Sequence, residues 1–146
     1  MANYSDFKRE EEPRLEGKRR CVITKVEEKV SSKGNDMIVI YLRPSGCKFE
    51  LRYWVVHNDS FNRKMTAFFD SFTEIPFGSF ENIEVAWVGA EGIINIGRDK
   101  NDYLEVKGFV DAVSGRNLPP FEGQKPPRQT FTSLEDETEN SDDLPF

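Results

Sequence analysis

Histidine and cysteine are scarce in this chain, which has one His and two Cys among 146 residues. Cys21 and Cys47 are far apart and form no CxxC pair, and His57 is the only imidazole, so neither a zinc site nor a His-based triad can be assembled from one chain. The sequence therefore predicts no catalytic residue, no metal site and no cofactor. We expect a protein that binds and is not an enzyme.

Long apolar runs are also lacking. Runs such as residues 37–42 reach six residues, whereas roughly 18 are needed to cross a bilayer. The N-terminus is charged throughout and has no secretory apolar stretch. These features predict a cytoplasmic protein with no membrane partner, in which both cysteines stay reduced.

Charge is distributed unevenly along the chain. The net charge is −6, and residues 134–146 hold six acids and no base. Residues 17–133 carry 17 basic and 15 acidic side chains, so the body is faintly positive. This asymmetry is typical of an acidic interaction tail on a domain that contacts a polyanion.

Hydrophobic periodicity predicts five strands and one helix. Phe61, Met65, Phe68 and Phe72 fall on one helical stripe, which we expect to be core. Three strands, a helix and two strands match an all-β fold, the five-stranded OB-fold Greek-key barrel with one helix between strands 3 and 4. An SH3-like barrel, which lacks that helix, and an α+β sandwich are the alternatives. The predicted strands are residues 19–30, 37–43, 48–56, 91–98 and 102–110, and the helix is residues 61–72.

Composition divides the chain into four parts. Residues 1–16 are predicted to be a loosely attached arm, and residues 17–115 the barrel. Residues 116–133 contain four prolines and little periodicity, which predicts an extended linker. Residues 134–146 are expected to be a disordered acidic tail.

Strand alternation predicts outer faces that mix rings with cations. Tyr41, Trp54 and Tyr103 are the predicted stacking residues, and Phe109 is placed on the same outer face of the fifth strand as Tyr103. Rings stack on unpaired bases for roughly 1–3 kcal/mol each, while cations follow the phosphates. Cross-strand packing and a solvated surface are the alternatives for each residue taken alone. The predicted contacts with single-stranded nucleic acid are Tyr41, Arg43, Lys48, Arg52, Trp54, Tyr103, Lys107 and, in or beside the hairpin turns, Lys33, Arg98 and Lys100.

The last residues join an acidic string to an apolar tip. Leu144 and Phe146 can enter a hydrophobic pocket on a partner while Asp142 and Asp143 meet cations at its rim. We predict a partner-binding site made of Asp142, Asp143, Leu144, Pro145 and Phe146. A solubilising tail is the alternative.

This ending, SDDLPF, resembles the acidic tip of bacterial single-stranded DNA-binding proteins. The body is instead similar to phage-encoded proteins of single-stranded DNA-binding type, through Gly17-Lys18, residues 27–29, residues 32–35 and residues 87–89. The resemblance covers roughly residues 17–112. It implies a host-cell cytoplasmic protein that binds and protects single-stranded DNA without sequence preference in replication, recombination or repair, and whose tip recruits proteins of those processes.

Two other binding functions fit the same sequence, and an enzyme whose carboxylates meet in the fold is the third alternative. The near-neutral body suits a protein-interaction adaptor with an OB-type barrel, and stacking platforms also serve an RNA-binding OB domain. Weak binding at each site would favour a homo-oligomer, which leaves the oligomeric state open.

Overall fold

A computed structural model describes residues 3–7 and 15–129 of the chain. The described residues form five strands and two helices, and both helices lie between β3 and β4. None of these helices combines the length and the apolar character that crossing a bilayer requires. The elements are β1 (Gly17–Val30), β2 (Asp36–Pro44), β3 (Leu51–Val56), α1 (Phe61–Ser71), α2 (Ile83–Ala86), β4 (Glu91–Arg98) and β5 (Leu104–Phe109).

The strands form one antiparallel sheet in the order β3-β2-β1-β4-β5. The sheet curls until its two edges approach each other, and the ring of Tyr53 on β3 lies 4.9 Å from that of Phe109 on β5. This nearly closed five-stranded arrangement confirms the prediction of an OB-like barrel.

The core fills the barrel and continues beneath α1. Met65, Phe68 and Phe72 are buried as predicted, and Phe61 packs at the edge of the core. Phe68 stacks on Phe72 with ring centroids 4.7 Å apart, and its ring is tilted against that of Trp87, with centroids 4.6 Å apart. The second helix, α2, was not predicted, because four residues are too few to produce a helical pattern.

Bulges in β1 and β5 change which side chains point outward. Ile23 pairs with Leu42 and Lys25 with Tyr41, so Thr24 is an extra residue in β1. In β5, Gly108 pairs with Asn95 and Val106 with Ile96, which makes Lys107 the extra residue. Phe109 therefore packs against the core. The prediction that Phe109 lies on the outer face is wrong, because simple alternation cannot anticipate a bulge.

Residues 111–129, which we call the C-terminal strap, contain no helix or strand and lie against the outside of the barrel. The Arg20 side chain on β1 donates to the carbonyl of Pro119 at 2.8 Å and to three other strap carbonyls at 3.3–3.5 Å. Gly115 packs directly on Ile93, the cross-strand neighbour of Arg20. The strap therefore covers the outer face where β1 pairs with β4.

The end of the strap is held near α2. The Arg128 guanidinium donates to the carbonyls of Ala86, Val88 and Glu74, and Lys125 pairs with Glu91 at 2.9 Å. The segment predicted as an extended linker thus makes specific contacts with the barrel over residues 116–129. Residues 130–146, which include the predicted tail, lie outside the described residues, as does most of the predicted arm.

Candidate nucleic-acid interface

The strap leaves uncovered the outer surface formed by the C-terminal half of β1 with β2 and β3. Directly paired residues on adjacent strands point to the same side, so the register defines three rows across this surface. We call this surface the β1–β3 face. Its rows are Lys25, Tyr41 and Arg52; Glu27, Val39 and Trp54; and Lys29, Met37 and Val56.

Tyr41 lies between two cations in the first row. The Lys25 ammonium is 5.4 Å from the centre of the Tyr41 ring, and the Arg52 guanidinium carbon is 5.7 Å from it. These distances are within the range of cation–π attraction. The Tyr41 hydroxyl donates to Glu27 Oε1 at 2.9 Å, which fixes the ring from its far end.

Trp54 projects from β3 beside the same arginine. Half of its surface is exposed, and the Arg52 guanidinium carbon lies 5.8 Å from its ring. Between Trp54 and Glu27 lies Val39, which is only 2% exposed. An indole that is half exposed beside a cation is a suitable platform for an unpaired base.

Glu27 is the acidic group in the middle of the face. Its Oε2 pairs with Lys25 at 3.2 Å, and its Oε1 pairs with Lys29 at 3.4 Å. The hydrogen bond from Tyr41 and the two lysines lower the pKa of Glu27, so it is a carboxylate at neutral pH. Among the outward residues of the three rows, its charge is opposed by those of Lys25, Lys29 and Arg52.

Arg43 continues the face along β2 toward the strap. It pairs with Val22, a fully buried residue, and its own side chain is half-buried. Its Nη2 is enclosed and has no hydrogen-bond partner among the residues that the structure describes. Arg43 thus adjoins Tyr41 on the face, with its Nη2 buried beneath the surface.

The remaining predicted contacts are not among the rows of this face. Lys33 is exposed in the β1–β2 turn, next to the face. Lys48 is exposed in the β2–β3 connection, because β3 begins at Leu51, three residues later than predicted. The structure brings together Tyr41, Arg43, Arg52 and Trp54.

A second group of predicted contacts lies at the β4–β5 hairpin. Tyr103 is 71% exposed there, beside the exposed Lys100. Arg98 contacts Glu16 and donates to the Asp102 carbonyl at 2.8 Å, while Lys107 pairs with Glu105. β4 pairs with residues 17–22, the first part of β1, whereas the β1–β3 face uses the part of β1 after the Thr24 bulge, so this hairpin is not part of the face.

Neither Lys25 nor Glu27 is among the contacts predicted from the sequence. Both belong to the face because the Thr24 bulge reverses the alternation of β1. The sequence did carry a signal, since the buried Val26 lies between these two charged residues in a two-residue period.

Within residues 3–7 and 15–129, no three His, Cys, Asp or Glu side chains come together to form a metal-binding group. The fold and the face define a small antiparallel barrel with rings and cations on one uncovered sheet surface. Neither protein-family models nor curated protein sequences match the chain.

Proposed function

We propose that this protein binds single-stranded DNA through the β1–β3 face, without reading a defined sequence and without catalysing a reaction. The observation that carries the proposal is the position of Tyr41 and Trp54 on one surface with Lys25 and Arg52 beside their rings. Stacking on each ring contributes about 1–3 kcal/mol, and the cations neutralise phosphates. Duplex DNA offers no free base faces, so it should bind more weakly.

We propose further that the barrel is an OB-fold Greek key. In this fold α1, which lies between β3 and β4, closes the barrel. The strand order and the approach of β3 to β5 support it. Together with the resemblance to phage-encoded single-stranded DNA-binding proteins, it suggests a role in replication, recombination or repair in the cytoplasm of the host cell.

In the same proposal, the acidic tail competes with DNA, and Asp142 to Phe146 recruit partner proteins. The strap supports this role because the last described residues of the chain are docked on the barrel. The Pro126 carbonyl lies against Gly89, whose N–H donates to the Ile23 carbonyl at 2.8 Å, next to the Thr24 bulge. Acids further along the chain are thereby tethered to the barrel that bears the face, and they meet its cations at high effective concentration.

The test is a fluorescence titration in a Trp87→Phe background, where the half-exposed Trp54 is the only tryptophan. We expect oligo-dT to quench Trp54 more than duplex of equal length, and less at high salt. Arg52→Gln should weaken binding several-fold and reduce the salt slope by roughly 0.7, the value for one single-strand phosphate contact. Arg63→Gln is the matched control, because Arg63 is exposed on α1 and away from the face.

Two comparisons separate the parts of the proposal. Removal of residues 134–146 should tighten DNA binding and abolish partner capture, and an unchanged DNA affinity would reject the competition. Tighter binding of oligo-U than of oligo-dT would favour RNA as the ligand. A folded protein whose Trp54 responds to no nucleic acid would contradict the proposal.

A protein-interaction adaptor is the second candidate, and one observation favours it. Phe77 and Phe80 are 67% and 43% exposed in the connection between α1 and α2. Their rings lie 5.4 and 5.3 Å from that of Phe69, so they form an aromatic cluster apart from the β1–β3 face. If DNA binding fails, this cluster is the surface to mutate in partner-capture experiments.

A further inference from the structure

The carboxylate of Glu27 is unexpected in a surface that would attract phosphates. It lies in the central row of the β1–β3 face, opposite Val39 and in line with Trp54. A negative charge there opposes the phosphates and holds Lys25 and Lys29 in ion pairs. A purely electrostatic binding face would therefore be stronger without it.

A carboxylate can also recognise a base. Its two oxygens offer about four acceptor positions. Three donors use them here, because Oε1 faces the Tyr41 hydroxyl and Lys29, and Oε2 faces Lys25. When phosphates draw the two lysines away, acceptor positions on both oxygens become available.

The geometry of the row brings a base to these oxygens. Glu27 on β1 and Trp54 on β3 flank Val39 from opposite sides, so their backbones are about 10 Å apart at the usual strand spacing. A base that stacks on Trp54 or Tyr41 would lie above Val39. Such a base is wide enough for its pairing edge to reach Glu27. Carboxylates accept hydrogen bonds from the exocyclic amino group of cytosine.

We infer that Glu27 is a base-recognition residue that accepts a hydrogen bond from an exocyclic amino group, so that the face binds cytosine more tightly than uracil. This inference rests on the proposed DNA-binding function and adds a preference for base composition to it. Cytosine presents an amino donor at C4 and an acceptor at N3, whereas uracil presents a carbonyl acceptor at C4 and a donor at N3. With the C4 group directed at Glu27, uracil would place an acceptor against the carboxylate.

The experiment compares oligo-dC with oligo-dU of equal length at pH 7.5, by the Trp54 titration. We expect the wild-type protein to bind oligo-dC about tenfold more tightly, as one hydrogen bond to a charged group would give. Glu27→Ala should tighten oligo-dU binding, because Lys25 and Lys29 are released, and should reduce the preference to about one. Glu27→Gln retains an acceptor for Tyr41 and adds an amide donor for uracil, so it should remove or reverse the preference.

Glu28→Gln is the matched control, because Glu28 is exposed on the same strand but outside the outward-facing set of Lys25, Glu27 and Lys29. It should keep the tenfold preference. Equal binding of the two oligonucleotides by the wild-type protein, or a preference that survives Glu27→Ala, would overturn the inference and leave the proposed function intact. Failure of the wild-type protein to bind either oligonucleotide would instead reject both.

Discussion

Gly89 is the point at which the strap can be detached by a single methyl group. It lies between α2 and β4 with φ +88°, a conformation that side chains rarely adopt. A Cβ at this position would collide with the carbonyl oxygen of Pro126 in the strap, which is backbone and cannot rotate away. Gly89→Ala therefore imposes both backbone strain and displacement of the strap.

The chain offers a control for each effect. Gly34 has φ +87°, and no heavy atom of the described chain lies within 4 Å of a Cβ built there. Gly34→Ala isolates the strain of the left-handed conformation, about 1–2 kcal/mol, reduced by the roughly 0.4–1 kcal/mol that alanine gains in the unfolded chain. Gly108 has neither a left-handed φ nor a heavy atom of the described chain within 4 Å of a Cβ built there. Gly108→Ala should therefore be close to neutral.

Gly89→Ala should cost more than Gly34→Ala because it also loosens Arg128. That side chain donates to the carbonyls of Ala86, Val88 and Glu74, and each such bond contributes roughly 0.5–1.5 kcal/mol. We expect about 1–3 kcal/mol beyond the Gly34→Ala value.

Urea unfolding measures these free energies, and trypsin cleavage after Arg128 measures release of the strap. We expect Gly89→Ala to be cleaved faster than Gly34→Ala under native conditions. If the two variants have the same free energy of unfolding and the same cleavage rate, the strap does not dock as described.

Three other perturbations test the fold by separate measurements. Arg20→Ala removes contacts with four strap carbonyls and should lower the free energy of unfolding in urea by about 1–3 kcal/mol. Phe68→Ala leaves a cavity among the core rings and should cost about 3–5 kcal/mol in the same assay. Burial raises the pKa of the Cys21 thiol, so iodoacetamide at pH 8 should modify the partly exposed Cys47 first; equal rates in the folded protein would contradict the burial of Cys21.

The barrel was predictable because burial imposes a period on most of its strands. Ile38, Ile40 and Leu42 alternate with outward residues along β2, and β4 spans the eight residues that were predicted. The part of the candidate site on β2 and β3 was predictable for the same reason. Tyr41, Arg52 and Trp54 lie on these two strands, which pair without a bulge.

The errors arose where the chain departs from a regular period. The bulges at Thr24 and Lys107 insert one residue each, which changes the side on which Lys25 and Phe109 lie. Nothing in the sequence marks the Thr24 bulge, whereas Gly108, next to the extra residue Lys107, is an isolated glycine inside a strand pattern, which is typical of a bulge. Alternation therefore gives the correct face only up to the first bulge.

The strap was missed for a different reason. Its side-chain hydrogen bonds run to backbone carbonyls: Arg20 of β1 donates to strap carbonyls, and Arg128 of the strap donates to carbonyls near α2. Every residue has a carbonyl, so no side-chain pattern records the acceptors. Prolines fit this arrangement because they offer a carbonyl acceptor and have no backbone N–H that would need a partner. A segment rich in proline and poor in periodicity is thus compatible both with a free linker and with a docked strap.

The Thr24 bulge links the strap to the candidate site. Before it, Arg20 points outward and binds the strap; after it, Lys25, Glu27 and Lys29 point outward and remain uncovered. Without the extra residue, regular alternation from Arg20 would point Val26 outward and Lys25 into the barrel. One inserted residue therefore allows the same strand to hold the strap with its first half and to present lysines beside Tyr41 with its second.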